Sequence, residues 1–397
     1  MFINYNSYFD NIIQTLKNED RFREFVNISR ICGEFPYAIN KSNGKKIVVW
    51  CSNDYLGMGQ NNSAINQAKL ALDEYGIGAG GTRNISGNNS VIVELEHLVA
   101  SLHNKEAGLV FSSGYSANDG AIQALVKIIP QLVIFSDEKN HASIISGIRN
   151  SAAIKHVFRH NDVFHLEELL KKYPLNQPKL IIFESVYSMD GDFGNINEIV
   201  DVAKKYHALT YIDEVHAVGL YGKKGAGLTE KMHMQAQIDI IQGTFAKGFG
   251  AIGGYICASK NVIEAIRSVA SNFIFSTSMS PAIAAAIKHN INYLMNSDQE
   301  RKKLFENVAK VKQKILQTNI RIVANESHII SVKIGNALKA KLISQQLLNE
   351  HNIYVQHINY PTVAKGDERL RITPSCLHDD DMIDKLINAL TKVIAQI

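Results

Sequence analysis

The stretch Leu209-Thr-Tyr-Ile-Asp-Glu-Val-His216 decides how this chain is read. A short apolar run rich in β-branched and aromatic residues ends abruptly in an acid. That pattern is a buried strand, and an acid at its exit stands at the carboxyl edge of a sheet, where open α/β folds bind ligands. His216 follows closely enough for the turn to bring its imidazole to whatever Asp213 touches. Taken by itself the pattern is ordinary, since a lone histidine is usually a surface residue or a satisfied core residue.

Working outward, residues 60–260 alternate short apolar runs with helical periods, the signature of an α/β sheet with crossover helices. The expected strands are Gly108–Phe111, Leu132–Phe135, Leu180–Phe183, Leu209–Ile212, Ile238–Ile241 and Gly254–Cys257. Most are apolar on both faces, as buried parallel strands are. Between them Val91, Leu95, Leu98 and Leu102, and again Ile196, Ile199, Val200 and Ala203, follow a helical period. After Pro281 longer charged amphipathic helices take over, through Leu304, Val308, Val311 and Ile315, then Ile383, Leu386, Leu390 and Ile394. The fold class is therefore α/β: a large, mostly parallel sheet domain over residues 56–284 and a smaller C-terminal α/β domain over 285–397. An N-terminal segment, 1–55, holds a helix and a strand near Ile47–Trp50.

Composition excludes several function classes. A formal net charge of +4 over 397 residues, with the basic residues dispersed, gives no electrostatic footprint for nucleic acid. No apolar run is long enough to span a membrane, because Ile122–Phe135 is broken by Lys127 and Pro130. Cys32, Cys51, Cys257 and Cys376 show neither zinc spacing nor a disulfide framework, which points to a reducing, cytoplasmic setting. The N-terminus carries no recognisable targeting pattern. Asp379-Asp-Asp381 opens the last helix, where acids complement the helix dipole, so no metal site is expected there.

The second chemical signal is Lys247, in Gly243-Thr-Phe-Ala-Lys-Gly-Phe-Gly250. A lysine is ordinarily a solvated surface residue, yet this one stands in a glycine-rich, apolar run. An amine together with a buried acid suits pyridoxal 5'-phosphate, which needs a lysine for its aldehyde, an acid for its pyridine nitrogen, and hydroxyls or backbone N–H groups for its phosphate. The third requirement is met by Ser112-Ser-Gly-Tyr-Ser-Ala-Asn118, between a strand and a helix, where backbone N–H groups cradle phosphate. Thr244 adds a hydroxyl. His141, in Asn140-His-Ala-Ser143 just past another strand exit, is placed to stack over a planar ring.

On these residues the chain resembles the α-oxoamine synthases, pyridoxal-phosphate enzymes of fold type I that join an amino acid to an acyl-CoA. The resemblance covers nearly the whole chain, through Trp50–Gly57, Gly76–Gly87, Phe111–Asn118, Ser136–Ser143, Glu184–Gly191, Tyr211–Gly219, the Lys247 segment and Arg369-Leu-Arg371. It implies that Lys247 anchors the cofactor and then acts as general base, that Asp213 pairs with the pyridine nitrogen, and that His216 and Ser188 bond ring substituents. His141 would stack on the ring and assist as an acid. The phosphate would be held by Gly114, Tyr115 and Thr244, with Ser276 and Thr277 reaching in from a second subunit of a homodimer. Arg371 would bind the amino-acid carboxylate, with Asn53 beside it.

Within this family the acyl group distinguishes the members. Gly80-Gly-Thr-Arg-Asn-Ile-Ser86 resembles the version that uses glycine and succinyl-CoA. Arg23, Thr82, Asn84 and Thr362 then correspond to the groups that hold the free succinyl carboxylate, Ile85 walls the pocket, and Ser136 adds a substrate contact. A desolvated carboxylate needs such a cation and donors. Where relatives carry a histidine after Gly87, this chain has Asn88-Asn-Ser-Val. The rival readings are another member, such as 2-amino-3-ketobutyrate CoA ligase, and a catalytically inactive partner subunit.

Overall fold

The computed structural model describes residues 3–397, which form two compact units. One comprises 53–188 and 192–302. The other comprises 3–52, 189–191 and 303–397.

The first unit is built on seven strands: β1 (Ala107–Phe111), β2 (Val133–Asp137), β3 (Ile154–Phe158), β4 (Lys179–Glu184), β5 (Leu209–Asp213), β6 (Ile240–Thr244) and β7 (Gly254–Ala258). Their spatial order is β1-β7-β6-β5-β4-β2-β3. All neighbours are parallel except β7, which runs antiparallel to both β1 and β6. Alternate residues point to opposite faces. Ile134, Leu180, Ile182 and Tyr211 pack with Ala117, Ala121 and Ile122 of the helix Gly114–Ile128 and Ile144 of the helix Ala142–Ser151. Phe135, Ile181, Phe183 and Ile212 on the other face are equally buried, so the sheet is covered on both sides.

Two expectations shift. β6 begins at Ile240 rather than Ile238 and carries Gly243 and Thr244 inside the strand, because Asp239 ends the preceding turn by accepting the Thr210 N–H at 2.7 Å. β3 had no sequence signal, since it is an edge strand with only Phe158 buried and Ile154 and Val157 in solvent. It lacks the apolar run that marks its neighbours. Pro281–Asn296 is one continuous helix across residue 284.

In the second unit the helix Tyr5–Asn18 is followed by strands Tyr37–Asn40 and Lys46–Val49, the latter parallel to Ile353–Tyr354. A three-stranded sheet places Arg369–Ile372 between Ile330–Lys333 and Gln356–Ile358. Trp50, Val311, Ile330, Leu370, Ile372, Leu386 and Leu390 share its core. Asp379 caps the last helix by accepting the Met382 N–H at 2.8 Å, the ordinary use of an acid at that position. Among the described residues no helix is long and apolar enough to cross a membrane.

Candidate active site

Asp213 is the last residue of β5 and is almost fully buried. Its Oδ1 accepts the Val215 N–H at 2.9 Å and its Oδ2 accepts an Asn118 Nδ2–H at 2.8 Å. Asn118 is itself fixed, for its Oδ1 accepts the Tyr211 hydroxyl at 2.8 Å and its amide also donates to Ser143 Oγ at 3.0 Å. Ser143 Oγ in turn lies 2.8 Å from His141 Nδ1. One buried amide therefore links the acid to the imidazole.

This network assigns the tautomer of His141. Its Nδ1 accepts the Ser143 backbone N–H at 3.2 Å, and with that nitrogen unprotonated the Ser143 hydroxyl, 2.8 Å away, is the donor to it. Nδ1 is thus an acceptor twice over, and the ring proton sits on Nε2. Burial, the largest influence, lowers the imidazole below its usual range. Asp213 opposes this and Lys247 reinforces it. His141 is neutral and presents one N–H donor.

His216 stands after β5, where its Nδ1 lies 2.9 Å from the Tyr55 hydroxyl. Tyr55, fully buried, also donates to Asn53 Oδ1 at 3.1 Å. Ser188 is half-buried in the turn closed by the Val186–Phe193 bridge. Ser136 is buried at the end of β2 and accepts from Asn140 Nδ2 at 2.9 Å.

Lys247 occupies the connection between β6 and β7, whose ends are closed by the Thr244–Gly254 pair. Inside it Phe245 N–H donates to Gly253 O at 3.0 Å, Ala251 N–H to Phe245 O at 2.8 Å, and Gly250 N–H to Lys247 O at 2.9 Å. Thr244 Oγ1 donates to Gly253 O at 2.8 Å. The helix Gly114–Ile128 starts beside this connection. Ser113 caps it, accepting the Ser116 N–H at 3.0 Å, which leaves the Gly114 and Tyr115 N–H groups without an intrahelical acceptor. A Cβ on Gly114 would stand 3.4 Å from Thr244 Oγ1, and a Cβ on Gly254 would meet Gly114 N at 2.5 Å. The close approach of the two backbones here requires glycine at 254.

These groups fit pyridoxal phosphate. A buried carboxylate with fixed donors, a neutral imidazole beside it, a lysine on the same edge and an open helix N-terminus next to a threonine make up the donor set that the group requires.

The loop 80–87 is tightly wound. Thr82 Oγ1 donates to Asn84 Oδ1 at 3.1 Å, and Ile85 and Gly87 N–H groups both donate to Thr82 O. Added Cβ atoms at Gly81 or Gly87 would come within 2.2 Å of backbone oxygens. Arg83, between the two expected substrate residues, points away and clamps Glu96 with two bonds of 2.7 and 2.8 Å. Ile85 is 66% exposed in the single chain. The same loop meets the segment of Ser276 and Thr277 through a Thr82–Thr277 bridge and a Ser278 N–H bond to Gly81 O. Ser276 Oγ donates to Asn272 O, and Thr277 is exposed.

The three remaining expected residues belong to the second unit. Arg23 Nη2 lies 3.5 Å from Thr362 Oγ1, both exposed. Arg371 is buried on the central strand of the small sheet, on the same face as Arg369, which bonds Asp190 Oδ1 at 2.5 Å and Met189 O at 3.1 Å. Sequence reading passed over Tyr55, Asn118, Ser143 and Glu184, although each lies inside or beside a quoted motif. Their types are those of ordinary core polar residues, and only their mutual bonds distinguish them.

Residues 45–390 match the family model for class I and II aminotransferases. The 5-aminolevulinate synthase of Rickettsia bellii is 53% identical over 391 residues, covering 98% of this chain and 94% of that protein. That of Bradyrhizobium diazoefficiens is 48% identical, covering 98% and 96%. Among solved structures, the serine palmitoyltransferase of S. paucimobilis with bound PLP–myriocin superposes with a TM-score of 0.90 at 28% identity over 99% of each chain. The fold is that of a pyridoxal-phosphate enzyme of fold type I, and pyridoxal phosphate is the cofactor. The chain belongs to the class I and II aminotransferase family and, within it, to the 5-aminolevulinate synthases.

Proposed function

We propose that this chain, working as a cytoplasmic homodimer, condenses glycine with succinyl-CoA to give 5-aminolevulinate, CoA and carbon dioxide. The observation that carries the reading is the buried link Asp213–Asn118–Ser143–His141 at the sheet edge that also bears Lys247. Relatives about half identical over nearly the whole chain support the same reaction, and four cysteines spaced neither as a zinc motif nor as a disulfide framework fit a reducing compartment.

Bound pyridoxal phosphate supplies an electron sink for the bond broken at the glycine Cα. Asp213 would face the ring nitrogen, His216 the ring hydroxyl and His141 the ring face, with Ser188 a further contact to the ring. Gly114 and Tyr115 N–H groups with Thr244 would hold the phosphate, joined by Ser276 and Thr277 of the second subunit. Lys247 Nζ takes the Cα proton as general base, which requires the amine to be neutral when glycine is bound. His141 Nε2–H, the one ring proton the network leaves, donates to the oxygen on which charge develops after attack on the thioester. Arg371 is assigned the glycine carboxylate, as its planar fork bonds both oxygens, with Asn53 a further contact. Arg23, Thr82, Asn84 and Thr362 are assigned the succinyl carboxylate, Ile85 the pocket wall, and Ser136 a further substrate contact. A site holding that cation rejects acetyl or long alkyl groups, which would leave it unpaired.

The test mixes purified protein with pyridoxal phosphate, glycine and succinyl-CoA and measures 5-aminolevulinate and free CoA. Turnover with acetyl-CoA but not succinyl-CoA would overturn the assignment in favour of another family member. Lys247→Ala should bind cofactor and lose turnover.

A further inference from the structure

Glu184 is the last residue of β4 and stands directly beside Asp213 in the register of the parallel pair β4–β5. It is 2% exposed, and the reaction as derived above gives it no part. Its Oε1 accepts the backbone N–H of His141 at 2.5 Å. His141 is the N-cap of the helix Ala142–Ser151, so this carboxyl group fixes the backbone from which the imidazole projects, while Ser143 fixes the ring itself.

We propose that Glu184 is a positioning residue of the cofactor site, holding His141 in place through its backbone N–H as an uncharged acid and so leaving Asp213 as the charged carboxylate facing the ring. This rests on the pyridoxal-phosphate reading of the site. Two adjacent buried carboxyl groups cannot both carry charge cheaply. Asp213 has two donors on its oxygens, the Asn118 amide and the Val215 N–H, where Glu184 has the backbone N–H of His141. Burial first, and then the charge of Asp213, push the Glu184 carboxyl well above the usual carboxylate range, with Asp137 adding to the effect and the His141 N–H and Lys247 opposing it.

The arrangement separates two jobs that charge alone would merge. A second anion beside Asp213 would hold protons on every basic group around it, including Lys247, whose amine must be neutral to act as a base. A neutral acid supplies an acceptor and adds no field.

Glu184→Gln keeps an acceptor oxygen without charge, and Glu184→Leu keeps bulk without an acceptor. Each variant is loaded with pyridoxal phosphate, and the visible absorption, its pH midpoint and the induced circular dichroism are recorded beside kcat. The Gln variant should keep the wild-type dichroism and a midpoint within about 0.3 unit, whereas removing a true neighbouring charge would move it by about 1 unit or more. The Leu variant should bind cofactor with a weakened dichroism band and a kcat lower by roughly 10-fold or more, the scale for a misplaced catalytic group, with Gln restoring both. A shifted midpoint in the Gln variant, or wild-type dichroism in the Leu variant, overturns the proposal. Should the Leu variant not fold, the Gln midpoint decides alone. Wild-type protein that gives no cofactor absorption refutes the cofactor reading itself.

Discussion

The Arg83–Glu96 pair offers a quantitative check on how the 80–87 loop is held. Both side chains are largely buried, at 9% and 12% exposure, and the fork is bidentate at 2.7 and 2.8 Å. Glu96 Oε1 also accepts the Val110 N–H at 2.9 Å, and Arg83 Nε reaches Asn88 Oδ1 at 2.8 Å. Arg83→Leu therefore strands a carboxylate with one neutral donor. Breaking a buried pair this way costs about 3–5 kcal/mol, and the residual exposure places the value near the lower end, about 3 kcal/mol, against at most about 1 kcal/mol for an exposed pair. Adding Glu96→Leu removes the stranded charge and should recover most of the loss, leaving about 1 kcal/mol for the unpaired Val110 N–H. Urea unfolding of the two variants measures both terms. The double variant should still show a KM for succinyl-CoA raised roughly 10-fold, because Thr82 and Asn84 lose the anchor between them. A single-variant cost below about 1 kcal/mol would refute a buried anchor, and an unchanged KM in the double variant would separate the loop from the acyl group.

Two further outcomes are expected. His160 lies between Asp137 at 2.9 Å and Asp192 at 2.5 Å; burial alone would lower it, but these two bonds raise it to about 9. A raised pKa gives stability that is complete below the unfolded value of about 6.5 and lost as pH rises to 9, so His160→Gln should flatten the decline in unfolding free energy across that window; an unaltered pH slope would contradict the clamp. Tyr55→Phe removes the hydroxyl between Asn53 and His216 and should cost glycine kcat/KM about 10-fold, the scale of one buried hydrogen bond, while loss of less than twofold would show that the hydroxyl has no role in the site.

The sheet was legible because β2, β4 and β5 are short, mostly apolar runs that end at Asp137, Glu184 and Asp213, the pattern of parallel strands buried on both faces. β3 was not, because an edge strand in solvent needs no apolar pattern. Asp213, His141 and Lys247 stood out by position at strand exits. Asn118 and Ser143 did not, since their meaning lies in a bond across 25 residues that no local spacing encodes. Arg83 was hidden for the opposite reason: it sits inside a substrate motif, and only the fold turns it away toward Glu96.

The hairpin of β6 and β7 bears on timing. Lys247 rides on a connection whose two ends are paired strands and whose interior is stitched by its own backbone bonds. A lysine on such a connection can reposition its amine by rotation of its four methylenes alone, a fast side-chain motion that needs no opening of the polypeptide on the microsecond scale of loop motion.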